Sequence, residues 1–205
     1  MARRPRPAAP VPEAAEPPRI IGGDLRGRRL AHRPGGPTRP MKDRVRETLF
    51  DLLGTRVKGA VAIDLFAGTG ALGFEAVSRG AVRGVFVERH FPTADVLRRS
   101  ARELGLAERC EVLAGDALVW PRRMPDLPRD GRWIVFVSPP WQLFVDRPAD
   151  LGELVATLIA AAPAESVVVV EADERFDPGL LPNAAAWESR SIAPAVLHFH
   201  GRLVS

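Results

Sequence analysis

The stretch Asp64-Leu65-Phe66-Ala67-Gly68-Thr69-Gly70-Ala71-Leu72-Gly73 carries the densest chemical signal in the sequence. Gly68 and Gly70 let a backbone turn sharply and approach a ligand, with a helix N-terminus just beyond. Phe66, Ala67 and Thr69 complete the lining of that turn. Gly68, Gly70 and Gly73 also satisfy the G-x-G-x-x-G pattern of a dinucleotide site, but a lone match of this kind is weak. The acid four residues ahead of the first glycine changes the weighting. A carboxylate facing a glycine-rich turn suits a ligand with a cationic amino acid end better than a pyrophosphate. Glu88, followed by Arg89, stands 18 residues after Gly70, where an acid can accept both hydroxyls of a ribose. Asp116, followed by Ala117, can accept from an adenine amino group or simply cap the helix that follows. Together the three acids describe a pocket for an adenosine with a positively charged tail. S-adenosyl-L-methionine is such a molecule.

A further loop, Ser138-Pro139-Pro140-Trp141, has a different character. Two prolines fix the backbone and remove two N–H donors, leaving carbonyls free to accept from a substrate amine. Trp141 offers a flat face on which an extruded base can stack. The plain alternative is a rigid loop with a partly buried indole.

These residues need a frame that brings them together, and the periodicity supplies one. VAIDLF reads as a buried strand, and RGVFVE, CEVLAG, RWIVFV and ESVVVVEA as further strands. Between them lie ALGFEAVSR, a helix from about Pro92 to Leu104, a mixed helix and loop over 117–131, and LGELVATLIAAA. Continuous apolar strands alternating with helices imply a mostly parallel sheet covered on both faces. AAWESRSI and PAVLHFHGRLV add a closing antiparallel hairpin. In such an α/β fold, ligands bind at the carboxyl ends of the strands, where all the loops above fall.

The division expected along the chain is a disordered Pro- and Arg-rich tail over 1–18, a basic extension over 19–54 and the main domain over 55–205. RIIGGDLRGRRLAHRP reads as a β-hairpin around a Gly-Asp turn. It is followed by a helix with Val45, Leu49, Leu52 and Leu53 on its apolar face and Arg39, Lys42, Arg44 and Arg46 among its solvent-facing positions. Residues 19–46 carry nine cationic side chains against Asp24 and Asp43, while the chain as a whole is only +4. A basic front on a mildly acidic body suggests an arm that meets a polyanion, with RNA or DNA ahead of a membrane surface. A solvated arginine-rich flank is the alternative.

A length of 205 residues, 46% hydrophobic, fits one large domain. No run approaches a membrane span, and the N-terminus lacks the apolar core of a secretory signal. Cys110, the only cysteine, excludes a disulfide framework and suits a reducing cytoplasm; it reads as buried and inert. His198 and His200 share a strand face but lack a third ligand, so they read as a surface or edge-strand pair rather than a metal site. His90 can border the pocket, and His32 belongs to the basic arm.

In chain order, RIIGG, RGRRL, RP-x-x-DRVRETLFDLL, DLFAGTGALGFEAVSRGA and the Pro-Pro loop resemble the RsmD family. Its members are bacterial small-subunit (16S) ribosomal RNA (guanine-N2)-methyltransferases with the class I, Rossmann-like methyltransferase fold. The resemblance covers about residues 19–205 and is strongest over 19–90. It implies S-adenosyl-L-methionine as cofactor, with Asp64, Gly68 and Gly70 lining its pocket, Glu88 on the ribose and Asp116 toward the adenine. It also implies RNA docking by Arg26, Arg28, Arg29, Arg39, Lys42, Arg44 and Arg46, with Ser138, Pro139, Pro140 and Trp141 at the target base. The expected partner is small-subunit rRNA or the assembling subunit, met by a cytoplasmic monomer that needs no metal. One departure stands out. Where the family has Asn or Asp before Pro-Pro, this chain has Ser138, a shorter and weaker acceptor, and where it has Tyr or Phe, this chain has Trp141. A slow enzyme, a changed substrate or an RNA-binding descendant without catalysis all follow from Ser138, and an NAD(P)-dependent oxidoreductase is the remoter alternative.

Overall fold

The computed structural model describes the chain except for residues 1–15, 33–40, 42, 124–126, 128, 130, 204 and 205. Most of the expected tail, together with Arg39 and Lys42, therefore lies outside the described residues.

The apolar runs form the strands the periodicity demands. These are β1 (Val61–Leu65), β2 (Arg83–Glu88), β3 (Cys110–Ala114), β4 (Trp133–Val137), β5 (Val167–Asp173), β6 (Trp187–Ile192) and β7 (Ala195–His200). They make one sheet in the order β3-β2-β1-β4-β5-β7-β6. β1 to β5 are mutually parallel, and β7 and β6 close the sheet antiparallel. Every residue of β1 and β4 is buried because helices cover both faces. The helices are α1 (Asp43–Leu53), α2 (Ala71–Ser78), α3 (Phe91–Glu103), α4 (Trp141–Asp146) and α5 (Pro148–Ala161).

Side chains alternate between faces, so two cores form. On one face, Phe86 and Phe136 meet Phe50, Phe74 and Leu97 from the helices. On the other, Ile63, Val135 and Val168 meet Leu151, Leu154 and Leu158 of α5. Strand order reverses between β1 and β4, which places the carboxyl ends of these two strands at the switch point of the sheet.

The N-terminal segment forms a short hairpin: Arg19 and Arg29 make an antiparallel bridge, the Ile20 amide donates to the Arg28 carbonyl at 2.9 Å, the Leu30 amide donates to the Pro18 carbonyl at 2.8 Å, and the turn spans Asp24–Gly27. The amides of Ile21 and Gly22 both donate to Glu75 of α2 at 2.7 Å, and that of Leu25 donates to the Ser78 hydroxyl at 2.9 Å. These bonds dock the hairpin on α2. Gly23 sits at φ +76°, and a Cβ there would lie 1.9 Å from the Ser78 carbonyl oxygen. Ile20 and Leu30 are buried in the core, so the segment is packed rather than appended.

Two expectations are corrected. Arg46 is fully buried, 0% exposed, its guanidinium donating to the Arg19 carbonyl at 2.6 Å and to Asp43 at 3.0 Å. It is a strut beneath the N-terminal segment, and no phosphate can reach it. His198 is not at a surface or an edge, because β6 covers β7; it is 2% exposed and its Nδ1 lies 2.7 Å from the Ser189 hydroxyl.

Candidate functional site

The loop from β1 to α2 is shaped by left-handed residues. Phe66, Gly68 and Gly70 have φ of 64°, 53° and 75°. The Ala67 amide donates to the Val87 carbonyl at 3.0 Å and the Gly70 amide to the Ala67 carbonyl at 2.7 Å, which closes the turn. A Cβ on Gly70 would lie 2.5 Å from Leu97 Cδ2 and 2.7 Å from Phe74 Cε2. Gly70→Ala therefore combines steric overlap with a backbone strained by about 1–2 kcal/mol. A lowered melting temperature, read by circular dichroism, is the expected result. Gly73 serves packing: a Cβ there would stand 2.3 Å from Phe86, so α2 lies tight on the sheet.

Asp64 is buried at 2% exposure, and its Oδ2 accepts the Gly73 amide at 2.9 Å. Burial pushes its pKa up to about 8, the Gly73 hydrogen bond opposes this, and the charges of Glu88 and Glu171 add to the rise. Among the described residues no cationic side chain pairs with it. Glu88 ties two loops together, accepting the Gly68 amide at 2.9 Å and the His90 amide at 2.8 Å. Arg89 beside it is exposed and Thr69 is nearly buried. Asp116 accepts the Leu118 amide at 3.0 Å, the capping role considered above, and its other oxygen faces Arg147 at 4.0 Å. Ala117 is buried beside it. The three acids thus converge on the carboxyl edge of β1, β2 and β3, with Asp64 poised for a positive partner.

The loop after β4 continues this edge. Leu65 pairs with Val137, so Ser138 lies one residue beyond the end of β1's neighbour. Pro139 is buried, Pro140 exposed, and Trp141 opens α4 half-buried. The Arg175 guanidinium carbon lies 3.9 Å from the Trp141 ring centroid and backs the indole. An apolar cleft bounded by Val137, Pro139, Phe144, Val170 and Phe176 lies against the other sheet face.

Two site residues escaped the sequence reading. Glu171, in β5, is the neighbour of Ser138 on the adjacent strand; burial raises its pKa and the Ser138 hydroxyl opposes that rise. Its signal was an acid ending the apolar run VVVV. Arg175 follows β5 in a loop, and nothing in the sequence pairs it with Trp141. Cys110 is half-buried, and burial pushes its thiol up to about 12.

The basic residues sit elsewhere. Arg26, Arg28, Arg29 and Arg44 are exposed. The turn holding the first three docks at Ser78, the last residue of α2, and Arg28 reaches the Glu103 carbonyl at 2.8 Å, at the end of α3. Helices that return from the carboxyl edge end at the opposite edge, so the turn and Arg28 lie away from Asp64 and Ser138, while Arg44 stands in the first turn of α1. Among the described residues no helix is long and apolar enough to cross a membrane, and no cluster of His, Cys, Asp or Glu is placed to hold a metal ion.

A sheet of this order with its acids at the carboxyl edge and a Pro-Pro loop at the switch point is the class I S-adenosylmethionine-dependent methyltransferase fold. Residues 18–199 match the family described as Conserved hypothetical protein 95, and the chain belongs to that family, the RsmD family. It is 39% identical over 127 residues to Ribosomal RNA small subunit methyltransferase D of Escherichia coli (strain K12), covering 60% of each chain. It is 38% identical over 99 residues to Putative rRNA methyltransferase YlbH of Bacillus subtilis, covering 48% of this chain and 54% of that one. The matched stretch spans 54% to 67% of the length of these and the Haemophilus influenzae relative. Among solved structures, Putative methyltransferase yhhF from Escherichia coli superposes with a TM-score of 0.73 at 30% identity, covering 91% of this chain and 98% of that one.

Proposed function

We propose that this protein transfers a methyl group from S-adenosyl-L-methionine to the exocyclic N2 of a guanine in small-subunit ribosomal RNA, as a cytoplasmic monomer. The observation that carries it is the placing of Asp64, which lacks a cation, with Glu88 and Asp116 on the strand edge that also bears the Ser138-to-Trp141 loop. The names of its relatives support RNA of the small subunit as the substrate.

The site fits the cofactor. Asp64 is a buried acid lacking a cation, and Gly70 leaves no room for a side chain. Asp64 would hold the cationic amino acid end, Glu88 the ribose hydroxyls and Asp116 the adenine edge. S-adenosylmethionine, when bound, supplies an electrophilic methyl on a positively charged sulfur. The chain's part is alignment of the amine with it. Ser138 and the Pro139 carbonyl accept the two amine hydrogens, which turns the nitrogen lone pair out of conjugation with the ring. Trp141, backed by Arg175, carries the base. Arg26, Arg28, Arg29 and Arg44 would bind phosphates at a distance, which suits a folded RNA or particle spanning both edges of the sheet. Arg39 and Lys42 would extend that surface.

The test uses labelled S-adenosylmethionine and small subunits from cells lacking the protein, with the product nucleoside identified by mass. N2-methylguanosine formed by the parent and lost with Asp64→Ala is the expected result. Tight S-adenosylhomocysteine binding with no product would favour RNA binding alone. NAD binding in place of S-adenosylhomocysteine would end the methyltransferase reading.

A further inference from the structure

Ser138 leaves the proposed reaction with a gap. A serine hydroxyl both donates and accepts, and its rotor is free. If its proton faced the guanine amine it would occupy the very lone pair that must attack. A serine can replace an amide or carboxylate acceptor only if something takes its proton and fixes the rotor.

The sheet register puts that partner next door. Val137 of β4 pairs with Val170 of β5, so Ser138 and Glu171 are the next residues on adjacent parallel strands. Alternation sends both toward the face that carries Asp64, since Asp64 pairs with Phe136 and Phe136 with Val169. The two side chains therefore stand side by side on adjacent strands, and the Ser138 hydroxyl favours the ionised form of the Glu171 carboxyl against its burial. Glu171 has no cationic partner among the described residues; on its other side it pairs with Leu197 of β7. A carboxylate half-buried between apolar strands without a counter-charge is costly to stability, and the polar side chain the register sets beside it is Ser138.

We propose that Glu171 is a positioning residue for methyl transfer: by accepting the Ser138 hydroxyl proton, it turns the serine lone pairs toward the target amine and places negative charge behind them. Resting on the methyltransferase reading above, this role divides between two strands what one Asn or Asp side chain supplies elsewhere in the family. Hydrogen bonds in series polarise one another, so a serine donating to an anion is a stronger acceptor than a free one. Its effect grows as the amine nitrogen becomes positive, so it acts on the transition state more than on binding.

The test compares parent, Glu171→Gln, Ser138→Ala, Ser138→Asn and Ser138→Asn/Glu171→Gln proteins on small subunits. S-adenosylhomocysteine affinity is measured by calorimetry for each. Glu171→Gln is expected to lower kcat on the order of 10²-fold while leaving KM for S-adenosylmethionine and the calorimetric Kd close to the parent's. Ser138→Ala removes the acceptor itself as well as its contact with Glu171 and should cost at least as much. With Ser138→Asn present the amide accepts directly, so adding Glu171→Gln should then cost little. That rescue separates positioning from a structural role. Equal losses from Glu171→Gln in both backgrounds, or parent kcat in Glu171→Gln, would overturn the proposal while leaving the methyltransferase reading intact. No N2-methylguanosine from either the parent or Ser138→Asn would overturn both.

Discussion

Asp64→Asn is expected to make the ligand-free protein more stable at neutral pH while abolishing its binding of S-adenosylhomocysteine. The unfolded chain ionises this aspartate near its ordinary value of 3.8, whereas burial in the fold raises it to about 8. Between these values the folded state holds a proton that the unfolded state has released. Stability therefore falls as pH rises through this window, by up to about 1.4 kcal/mol per pH unit. Below the window both states are protonated and nothing is lost; above it the full penalty stands. Asparagine keeps an oxygen for the Gly73 amide and carries no charge, so the slope should disappear. Urea denaturation of parent and variant from about pH 4 to about pH 9 reads it directly. A cationic ligand reverses the electrostatics, since its charge favours the ionised carboxylate that Glu88 and Glu171 disfavour. Parent affinity for S-adenosylhomocysteine should rise with pH up to about 8, with proton release seen as a buffer-dependent heat. A variant that loses stability at every pH, or binds as tightly as the parent, would show that Asp64 serves the fold alone.

Much of this site was legible because one strand pattern produces it. Five apolar runs fix five parallel strands, and residues at their carboxyl ends then share an edge whatever the loops do. Asp64, Glu88, Asp116 and Ser138 were readable on that ground alone. What was not readable depended on pairs distant in sequence. Glu171 looks like the polar end of a strand until the register sets it beside Ser138, 33 residues earlier. Arg46 shares a helix face with Phe50 and Leu53, the spacing of a buried position, yet its charge argued for solvent. Its partner Glu75 belongs to another helix. The N-terminal hairpin was legible, but for the same reason its docking on α2 through the Ile21 and Gly22 amides was not. α4 went unseen because its six residues give too short a period to detect.

The Arg46–Glu75 pair sets up the second large effect. Glu75 is 0% exposed and receives the Ile21 and Gly22 amides at 2.7 Å, Arg79 Nε at 2.8 Å and Arg46 Nε at 3.7 Å. Arg46 has two guanidinium nitrogens without a hydrogen-bond partner, Nε and Nη1, so the charge of Glu75 compensates what its hydrogen bonds do not. Burial lowers the Arg46 pKa and the Glu75 charge opposes that shift. Glu75→Ala should therefore cost about 3–5 kcal/mol, the range for breaking one side of a buried ion pair. Guanidinium denaturation measures the loss. Limited proteolysis within 19–30 should show which part opens, because that segment loses its two amide acceptors on α2. Arg46→Met combined with Glu75→Leu removes both charges and should recover much of the stability, since two apolar side chains leave no orphaned ion. The segment's amides stay unpaired in the double variant, so proteolysis there should persist even as the core recovers. Cofactor binding, seated at the other end of α2, should survive in every folded variant of this series. RNA binding should weaken in those that release the arginine-bearing turn. If Glu75→Ala were neutral, the N-terminal segment would be held by its Ile20 and Leu30 packing and its bonds to Ser78 and Glu103.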